Sequence, residues 1–152
     1  MRPPPAPTDE ATTGPARPTT APRVLFVCVK NGGKSQMAAA LMRRVAGDAV
    51  TVSSAGTRAG QKVNALSAQA LAEVGVDISA NVPTQLTPTM LDDADLVVVL
   101  GRDAHVTSDT TPLEVWDTDE PSERGIDGIE RMRLVRDDIT SRVRDLAGRL
   151  DP

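Results

Sequence analysis

The residue with the most distinctive chemistry in this sequence is its single cysteine, Cys28, which begins the run Cys-Val-Lys-Asn-Gly-Gly-Lys-Ser. An apolar stretch precedes this run and a helical pattern follows it, so the run joins a strand to a helix N-terminus. The first backbone N–H groups of a helix have no intrahelical partner, and together with the helix dipole they attract anions. The residues predicted to bind an oxyanion are Val29, Lys30, Asn31, Gly32, Gly33, Lys34 and Ser35.

Individual side chains in this loop have predicted roles in a reaction at the sulfur. Lys34 adds a full positive charge, and Ser35 is placed to donate a hydrogen bond to Cys28. Asn31 is expected to brace the loop, since asparagine tolerates left-handed backbone geometry. The two glycines let the backbone curl around a ligand. This positive environment favours the thiolate form of Cys28, which is a nucleophile.

The same loop has other interpretations. An isolated cysteine is often only a buried residue at a strand end. Gly33, Lys34 and Ser35 also match the end of the nucleotide-binding pattern G-x-x-x-x-G-K-[ST], but Cys28 occupies the position of its first glycine. A Walker A nucleotide kinase is therefore the second enzyme hypothesis. A non-catalytic oxyanion-binding protein is the hypothesis outside the enzymes.

Apolar runs alternate with helical patterns after residue 22. The valine-rich run 23–29 predicts a buried central strand. Three further strands are predicted at 49–54, 95–100 and, more weakly, 112–116. Helices are predicted at 35–46, 64–74, 87–92 and 129–150. Asn64 is the expected cap of the second helix, and Pro88 opens the third.

This alternation predicts an α/β fold with a four-stranded parallel sheet, doubly wound, with helices on both faces. Ligands of such sheets bind beyond the carboxyl ends of the strands, where the Cys28 loop begins. The loops after residues 54, 100 and 116 should reach the same edge. Residues 1–22 hold seven of the twelve prolines and are predicted to be a disordered tail, with one catalytic domain at 23–152.

Composition argues against several kinds of partner. The net charge is −4 and the pI about 5.0, whereas nucleic-acid-binding domains are usually basic. No apolar run approaches the roughly 20 residues of a membrane span, and the N-terminus lacks the apolar core of a secretory signal. With one cysteine and one histidine, His105, no metal site is expected. We therefore predict a cytoplasmic protein that binds neither nucleic acid nor membrane.

Residues 24–39 resemble the first strand, loop and helix of the low-molecular-weight protein tyrosine phosphatase fold. The branch they resemble is the thiol-dependent arsenate reductases. Similar runs are Ser-Ser-Ala-Gly-Thr at 53–57, Val-Val-Val-Leu at 97–100, residues 116–121, and Glu-Arg-Met-Arg-Leu-Val-Arg-Asp at 130–137. The resemblance covers about residues 23–150 and implies arsenate as substrate, with Cys28 as its nucleophile. A low-molecular-weight acid phosphatase is the alternative within this fold.

Two departures from the family pattern indicate which branch of the family this sequence resembles. The wider family ends its loop with arginine, whereas this sequence has Lys34, as the actinobacterial arsenate-mycothiol transferases do. Thioredoxin-coupled relatives carry two further cysteines after the third strand, but residues 100–109 contain none. An external thiol must therefore resolve the arsenylated cysteine. The resemblance implies mycothiol as co-substrate and a mycoredoxin as partner, with no tightly bound cofactor.

The family also places an acidic residue just before a proline after the fourth strand. Glu120 precedes Pro121 and is the first candidate for the general acid, with Asp119 as the second. The family's phosphotyrosine-specific members carry tyrosine near this position, and the sequence has none. We expect Trp116 to be a packing residue. The arginines expected on a solvated helix face are Arg131, Arg133, Arg136, Arg142 and Arg144.

Overall fold

The computed structural model describes residues 21–150, so the predicted tail, apart from its last two residues, lies outside the described residues. The strands are β1 (Arg23–Cys28), β2 (Thr51–Gly56), β3 (Leu96–Leu100) and β4 (Leu113–Trp116). The helices are α1 (Lys34–Ala46), α2 (Ala65–Ala72), α3 (Pro88–Asp93) and α4 (Gly128–Leu150). Two short 3-10 helices, Gly47–Ala49 and Pro121–Arg124, complete the described elements. None of the helices within residues 21–150 has the length and apolar character that crossing a bilayer requires.

The four strands form one parallel sheet in the order β2-β1-β3-β4, which confirms the predicted fold class. The central strand β1 pairs with β2 on one side and with β3 on the other. Cys28 lies opposite Gly56, and Leu100 lies opposite Trp116. The carboxyl ends of all four strands therefore meet at one edge of the sheet, immediately beside the Cys28 loop.

Two apolar cores fill the two sides of the sheet. Val24 and Phe26 of β1 pack with buried residues of α1, α2 and α4 on one side. Leu25 and Val27 pack on the other side, which Met90 and Leu91 of α3 help to cover. Successive strand residues point to opposite faces, so one valine-rich run supplies both cores. This double burial explains why β1 is a continuous apolar run.

The second strand lies later in the sequence than predicted. It begins at Thr51 and extends through Ala55 and Gly56, which were expected to lie in a loop. A Cβ atom at Gly56 would lie 2.6 Å from the carbonyl oxygen of Val29, so only glycine permits this close backbone approach. Alternation of apolar side chains carries no signal for such a contact, which explains the error in the predicted boundary.

Candidate active site

Cys28 is the last residue of β1, and its side chain lies at the mouth of the anion-binding loop. Cys28 is buried, with 8% of its surface exposed. The Sγ atom is 2.9 Å from Ser35 Oγ and accepts a hydrogen bond from the backbone N–H of Asn31 at 3.3 Å. The structure thus brings together the predicted nucleophile and two of the residues predicted to surround it.

The side chain of Asn31 determines which way the hydroxyl of Ser35 points. Asn31 is fully buried and has φ +54°, the left-handed geometry expected for it. Its Oδ1 accepts hydrogen bonds from the backbone N–H of Thr84 and from Gln36 Nε2, at 2.9 and 3.2 Å. Its Nδ2 must therefore face Ser35, whose Oγ accepts a hydrogen bond at 2.6 Å. The hydroxyl proton of Ser35 is then available to Cys28.

The structure shows a role for the two loop glycines that the sequence did not indicate. Neither has a positive φ, and the left-handed residue of the loop is Asn31. A Cβ atom at Gly32 would lie 3.1 Å from the carbonyl oxygen of Lys62, and one at Gly33 would lie 3.2 Å from Ser67 Oγ. The glycines therefore make room for two neighbours, the segment that contains Lys62 and the start of α2.

That neighbouring segment, residues 57–64, is attached to the Cys28 loop by backbone hydrogen bonds. The N–H groups of Thr57 and Arg58 donate to the carbonyl oxygens of Cys28 and Val29, at 3.0 and 2.8 Å. Further along, Gly60 and Asn64 donate to Lys30 and Gly32, at 2.9 and 2.7 Å. Asn64 also caps α2, as predicted, by accepting a hydrogen bond from Ser67 N. The geometry of the anion loop is thus fixed along its whole length.

A cavity of about 460 Å³ opens beside the sulfur, and we call it the Cys28 cavity. Its lining comes from the Cys28 loop, from residues 100–104 after β3, from residues 120–123 after β4, and from Arg131 of α4. Two of the three other strand-end loops predicted to reach this edge therefore line the cavity. The segment after β2 lies behind the Cys28 loop instead.

Glu120 lies in this cavity between two cations. Its Oε1 pairs with Lys34 Nζ, and its Oε2 accepts a hydrogen bond from Arg131 at 3.2 Å. The three side chains are 20–29% exposed, so water screens them only partly. Burial works to raise the pKa of Glu120, but the hydrogen bonds and charges of Lys34 and Arg131 outweigh it and hold the pKa below its ordinary value. Glu120 is therefore a carboxylate in the ligand-free site.

Asp119, the second candidate acid, is held apart from the cavity. Its carboxylate forms a two-pronged contact with Arg124, at 2.8 and 3.2 Å, and it is absent from the cavity lining. The hydrogen bond from Arg124 holds the pKa of Asp119 below its ordinary value. Of the two neighbouring carboxylates, only Glu120 lines the Cys28 cavity.

Arg131 is a cavity residue that sequence reasoning assigned wrongly to a solvated helix face. It contacts Glu120 and lines the Cys28 cavity. Arg131 immediately precedes the buried Met132 and lies four residues before the buried Val135, so it borders the apolar stripe of α4. Residues four apart share a helix face, and this position was the available signal. Arg136 was also assigned wrongly to the solvated helix face. Its side chain is only 12% exposed.

Trp116 is a packing residue, as predicted. It is buried at the end of β4, with its ring centroid 5.7 Å from that of Phe26, and its Nε1 donates to Glu114. His105 is exposed on the segment after β3. Within residues 21–150, no cluster of three or more His, Cys, Asp and Glu side chains could hold a metal ion.

Comparison with known proteins gives consistent results. Residues 23–152 match the family model described as low molecular weight phosphotyrosine protein phosphatase. An arsenate reductase of Brevibacillus brevis is 35% identical over 128 residues, which cover 82% of this chain and 92% of that protein. A putative arsenate reductase of Halobacterium salinarum is 31% identical over 133 residues, with coverage of 84% and 92%.

A solved structure agrees with both sequence relatives. The thioredoxin-dependent arsenate reductase of Corynebacterium glutamicum superposes with a TM-score of 0.71 at 32% identity. The match covers 87% of this chain but only 63% of that one, so the Corynebacterium chain contains a substantial part with no counterpart here.

Proposed function

Because the chain belongs to the low molecular weight phosphotyrosine protein phosphatase family, we propose that it is an arsenate reductase with Cys28 as nucleophile. The observation that carries this proposal is the sulfur of Cys28, held between Asn31 N–H and Ser35 Oγ at the edge of a cavity that also contains Lys34. Arsenate reductases are among the relatives that exceed 30% identity, and this supports arsenate as the substrate.

Arsenate binds in this proposal by local geometry against an unfavourable overall charge of −4. The backbone N–H groups at the start of α1 point toward the anion, and Lys34 supplies a cation. Lysine acts as a point charge, whereas the arginine of the wider family offers a planar fork. Arg131 of α4 supplies a planar guanidinium group to the same cavity. The two cations together replace what the wider family obtains from one arginine.

In the chemical step the thiolate of Cys28 attacks arsenic and forms an S–As bond. One arsenate oxygen leaves as water after it receives a proton, so the arsenic stays pentavalent at this stage. Protonation of a leaving oxygen by a carboxylic acid is general acid catalysis. Glu120 is the proposed acid, since it lies in the cavity that holds Cys28.

Glu120 becomes an acid only once the anion is bound. In the ligand-free site Lys34 and Arg131 keep it ionised. When arsenate attracts Lys34 and Arg131 away from Glu120, the Glu120 carboxyl group stays partly buried. It also lies next to the negative charge of the arsenate. Both effects raise the pKa of a carboxyl group. Arsenate binding therefore converts Glu120 from counter-ion to proton donor.

The arsenic must then pass to an external thiol, because the sequence contains no second cysteine. The incoming thiol attacks arsenic, its sulfur replaces that of Cys28, and its proton returns to the Cys28 thiol. Mycothiol is the proposed donor, on the resemblance of the Lys34-containing loop to the mycothiol-dependent branch. A mycoredoxin would then attack the mycothiol sulfur and form a mixed disulfide. Arsenic leaves as arsenite with the two electrons that the thiols supply.

The test is arsenate consumption with mycothiol and mycoredoxin, measured for the parent protein and for Cys28→Ser. We expect turnover by the parent and only background turnover by the variant. Ser141→Ala, at an exposed position of α4 that does not line the Cys28 cavity, is the control and should keep the parent rate. Equal rates for parent and Cys28→Ser would overturn the proposal. Release of p-nitrophenol from its phosphate without arsenate turnover would assign an acid phosphatase instead.

A further inference from the structure

A second cavity, of about 720 Å³, adjoins the Cys28 cavity, and we call it the Lys62 cavity. Both cavities are lined by Lys30, Lys34 and Arg131, so these three side chains form the boundary between them. The remaining lining comes from the backbone of the loop glycines, from residues 60–65, and from α2 and α4. A ligand that reaches from one cavity to the other would pass along these three cations.

The two cavities differ in charge. Three acidic side chains, Asp103, Glu120 and Glu123, line the Cys28 cavity, and none lines the Lys62 cavity. Lys62 adds a further cation to the second cavity. Among residues 21–150, neither Lys30 nor Lys62 takes part in an ion pair. The charged side chains that line the Lys62 cavity are therefore all cations, which attract hydrogen-bond acceptors.

The Lys62 cavity also has the size and rigidity of a ligand site. Ligand pockets usually measure about 300–1,000 Å³, and arsenate alone would fill only a small part of such a volume. Val63, Met132 and Val135 give the cavity an apolar side that suits the carbon skeleton of a larger molecule. The segment that carries Lys62 is bonded to the Cys28 loop through the N–H groups of Gly60 and Asn64. The backbone that carries the exposed Lys62 side chain is thus fixed relative to the Cys28 loop.

We propose that the Lys62 cavity is the subsite for the body of the thiol co-substrate. This inference rests on the proposed function, which requires an external thiol at Cys28. The thiol would place its sulfur in the Cys28 cavity and its hydroxyl or carboxylate oxygens among Lys62, Lys30 and Arg131. The small tetrahedral substrate and the larger thiol then occupy separate cavities that share one boundary.

Kinetics of Lys62→Ala test the proposal. Loss of one charge-assisted hydrogen bond should raise the KM for mycothiol by about tenfold. The KM for 2-mercaptoethanol, a thiol too small to reach the Lys62 cavity, should rise by less than about twofold. Arg58→Ala is the matched control, because Arg58 is an exposed cation on the same segment that lines neither cavity. If the KM values for mycothiol and for glutathione both stayed within about twofold of the parent values, the subsite would be overturned.

A comparison of thiols identifies the recognised oxygens. Glutathione carries carboxylates, whereas mycothiol carries hydroxyl groups in their place. A larger effect of Lys62→Ala on mycothiol assigns the cavity to a hydroxyl-rich body, and a larger effect on glutathione assigns it to a carboxylate. Either result supports the subsite, and no effect on either thiol overturns it.

A binding experiment separates failure of this inference from failure of the proposed function. S-methylated mycothiol cannot react, so its titration into the parent protein reports binding alone. We expect amide NMR shifts at residues 60–65 that disappear in Lys62→Ala. Shifts confined to residues 101–104 would overturn the subsite even if arsenate turnover is normal. Shifts at 60–65 in a protein without turnover would support a thiol site and refute the arsenate reductase proposal alone.

Discussion

The two sides of the candidate active site are built from different interactions. Around Cys28, the side chains of Asn31 and Ser35 are buried and neutral, and they are joined by hydrogen bonds. Across the cavity, Lys34, Glu120 and Arg131 are charged and partly exposed, and they are joined by ion pairs. Neutral buried networks hold one geometry, whereas partly hydrated ion pairs exchange partners at small cost. The proposed nucleophile is thus fixed, and the proposed acid is able to respond to the substrate.

Replacement of Asn31 should have the largest effect, because it disrupts the buried hydrogen-bond network beside Cys28. Asn31→Ala removes three side-chain hydrogen bonds and leaves an alanine at φ +54°. We expect the free energy of unfolding to fall by about 2–4 kcal/mol and kcat for arsenate to fall roughly 100-fold. Urea denaturation and steady-state kinetics measure the two effects.

Two controls interpret that result. Asn31→Gly removes the same bonds without the backbone strain, so its stability should lie between those of the parent and Asn31→Ala. Asn81→Ala removes only the outer hydrogen bond to Gln36 and should have a smaller effect on both quantities. An Asn31→Ala variant with the kcat of the parent would show that the network does not position the sulfur.

Replacement of Glu120, on the ion-paired side of the cavity, should change arsenate binding and turnover in opposite directions. Glu120→Gln removes the proton donor, so we expect kcat to fall roughly 100-fold. It also frees Lys34 and Arg131 from a competing carboxylate, so arsenate should bind more tightly. Calorimetric titration with arsenate and steady-state kinetics measure the two changes.

Asp119→Asn is the matched control for this experiment, because Asp119 pairs with Arg124 outside the cavity. It should change kcat little. If Glu120→Gln weakened arsenate binding and retained the kcat of the parent, Glu120 would be neither a competing counter-ion nor the acid.

Removal of the hydroxyl of Ser35 should have a smaller effect, confined to the sulfur. Ser35→Ala leaves Asn31 N–H on Cys28 but removes the Oγ at 2.9 Å. We expect kcat to fall about tenfold and alkylation of Cys28 by iodoacetamide at neutral pH to slow. Unchanged alkylation would show that Ser35 serves only to hold Asn31.

An ion pair far from the cavity should show the smallest effect, limited to stability. Arg133 hydrogen-bonds to Glu73, and with Arg136 it holds the pKa of Glu73 at about 2 rather than 4.5, although burial works in the opposite direction. Because the folded-state pKa is the lower one, the pairing stabilises the fold above about pH 4.5 and loses its effect as the pH falls toward 2.

Glu73→Gln should therefore unfold slightly more easily than the parent in urea at neutral pH and equally easily near pH 2. The effect is small because Glu73 and Arg133 are partly exposed, so water screens their pairing. Activity with saturating substrates should equal that of the parent. A larger stability difference at low pH than at neutral pH would contradict the assigned direction of the pKa shift.

The sequence predicted most reliably what depends on neighbours along the chain. The strand before Cys28, the Asn64 cap and the left-handed Asn31 follow from local patterns of residue type. It failed where the outcome depends on packing between distant elements. The contact of Arg131 with Glu120 requires the rotation of α4 against the sheet, and the later boundaries of β2 require the approach of Gly56 to Val29.

The choice between the two candidate acids also lay beyond the sequence. Glu120 and Asp119 are adjacent carboxylic acids of similar strength, and the positions of Lys34 and Arg124 separate them. Charged side chains select partners within a few ångströms, and this selection depends on loop geometry that no local pattern encodes.

The buried indole of Trp116 gives this protein an intrinsic optical probe. The sequence contains one tryptophan and no tyrosine, so ultraviolet emission at long wavelengths originates from a single ring. That ring ends β4, four residues before Glu120, and contacts Phe26 in the core below the cavity. A shift of the loop between Trp116 and Glu120 on arsenate binding would alter the emission without any label, so rapid-mixing fluorescence can follow anion capture separately from thiol chemistry.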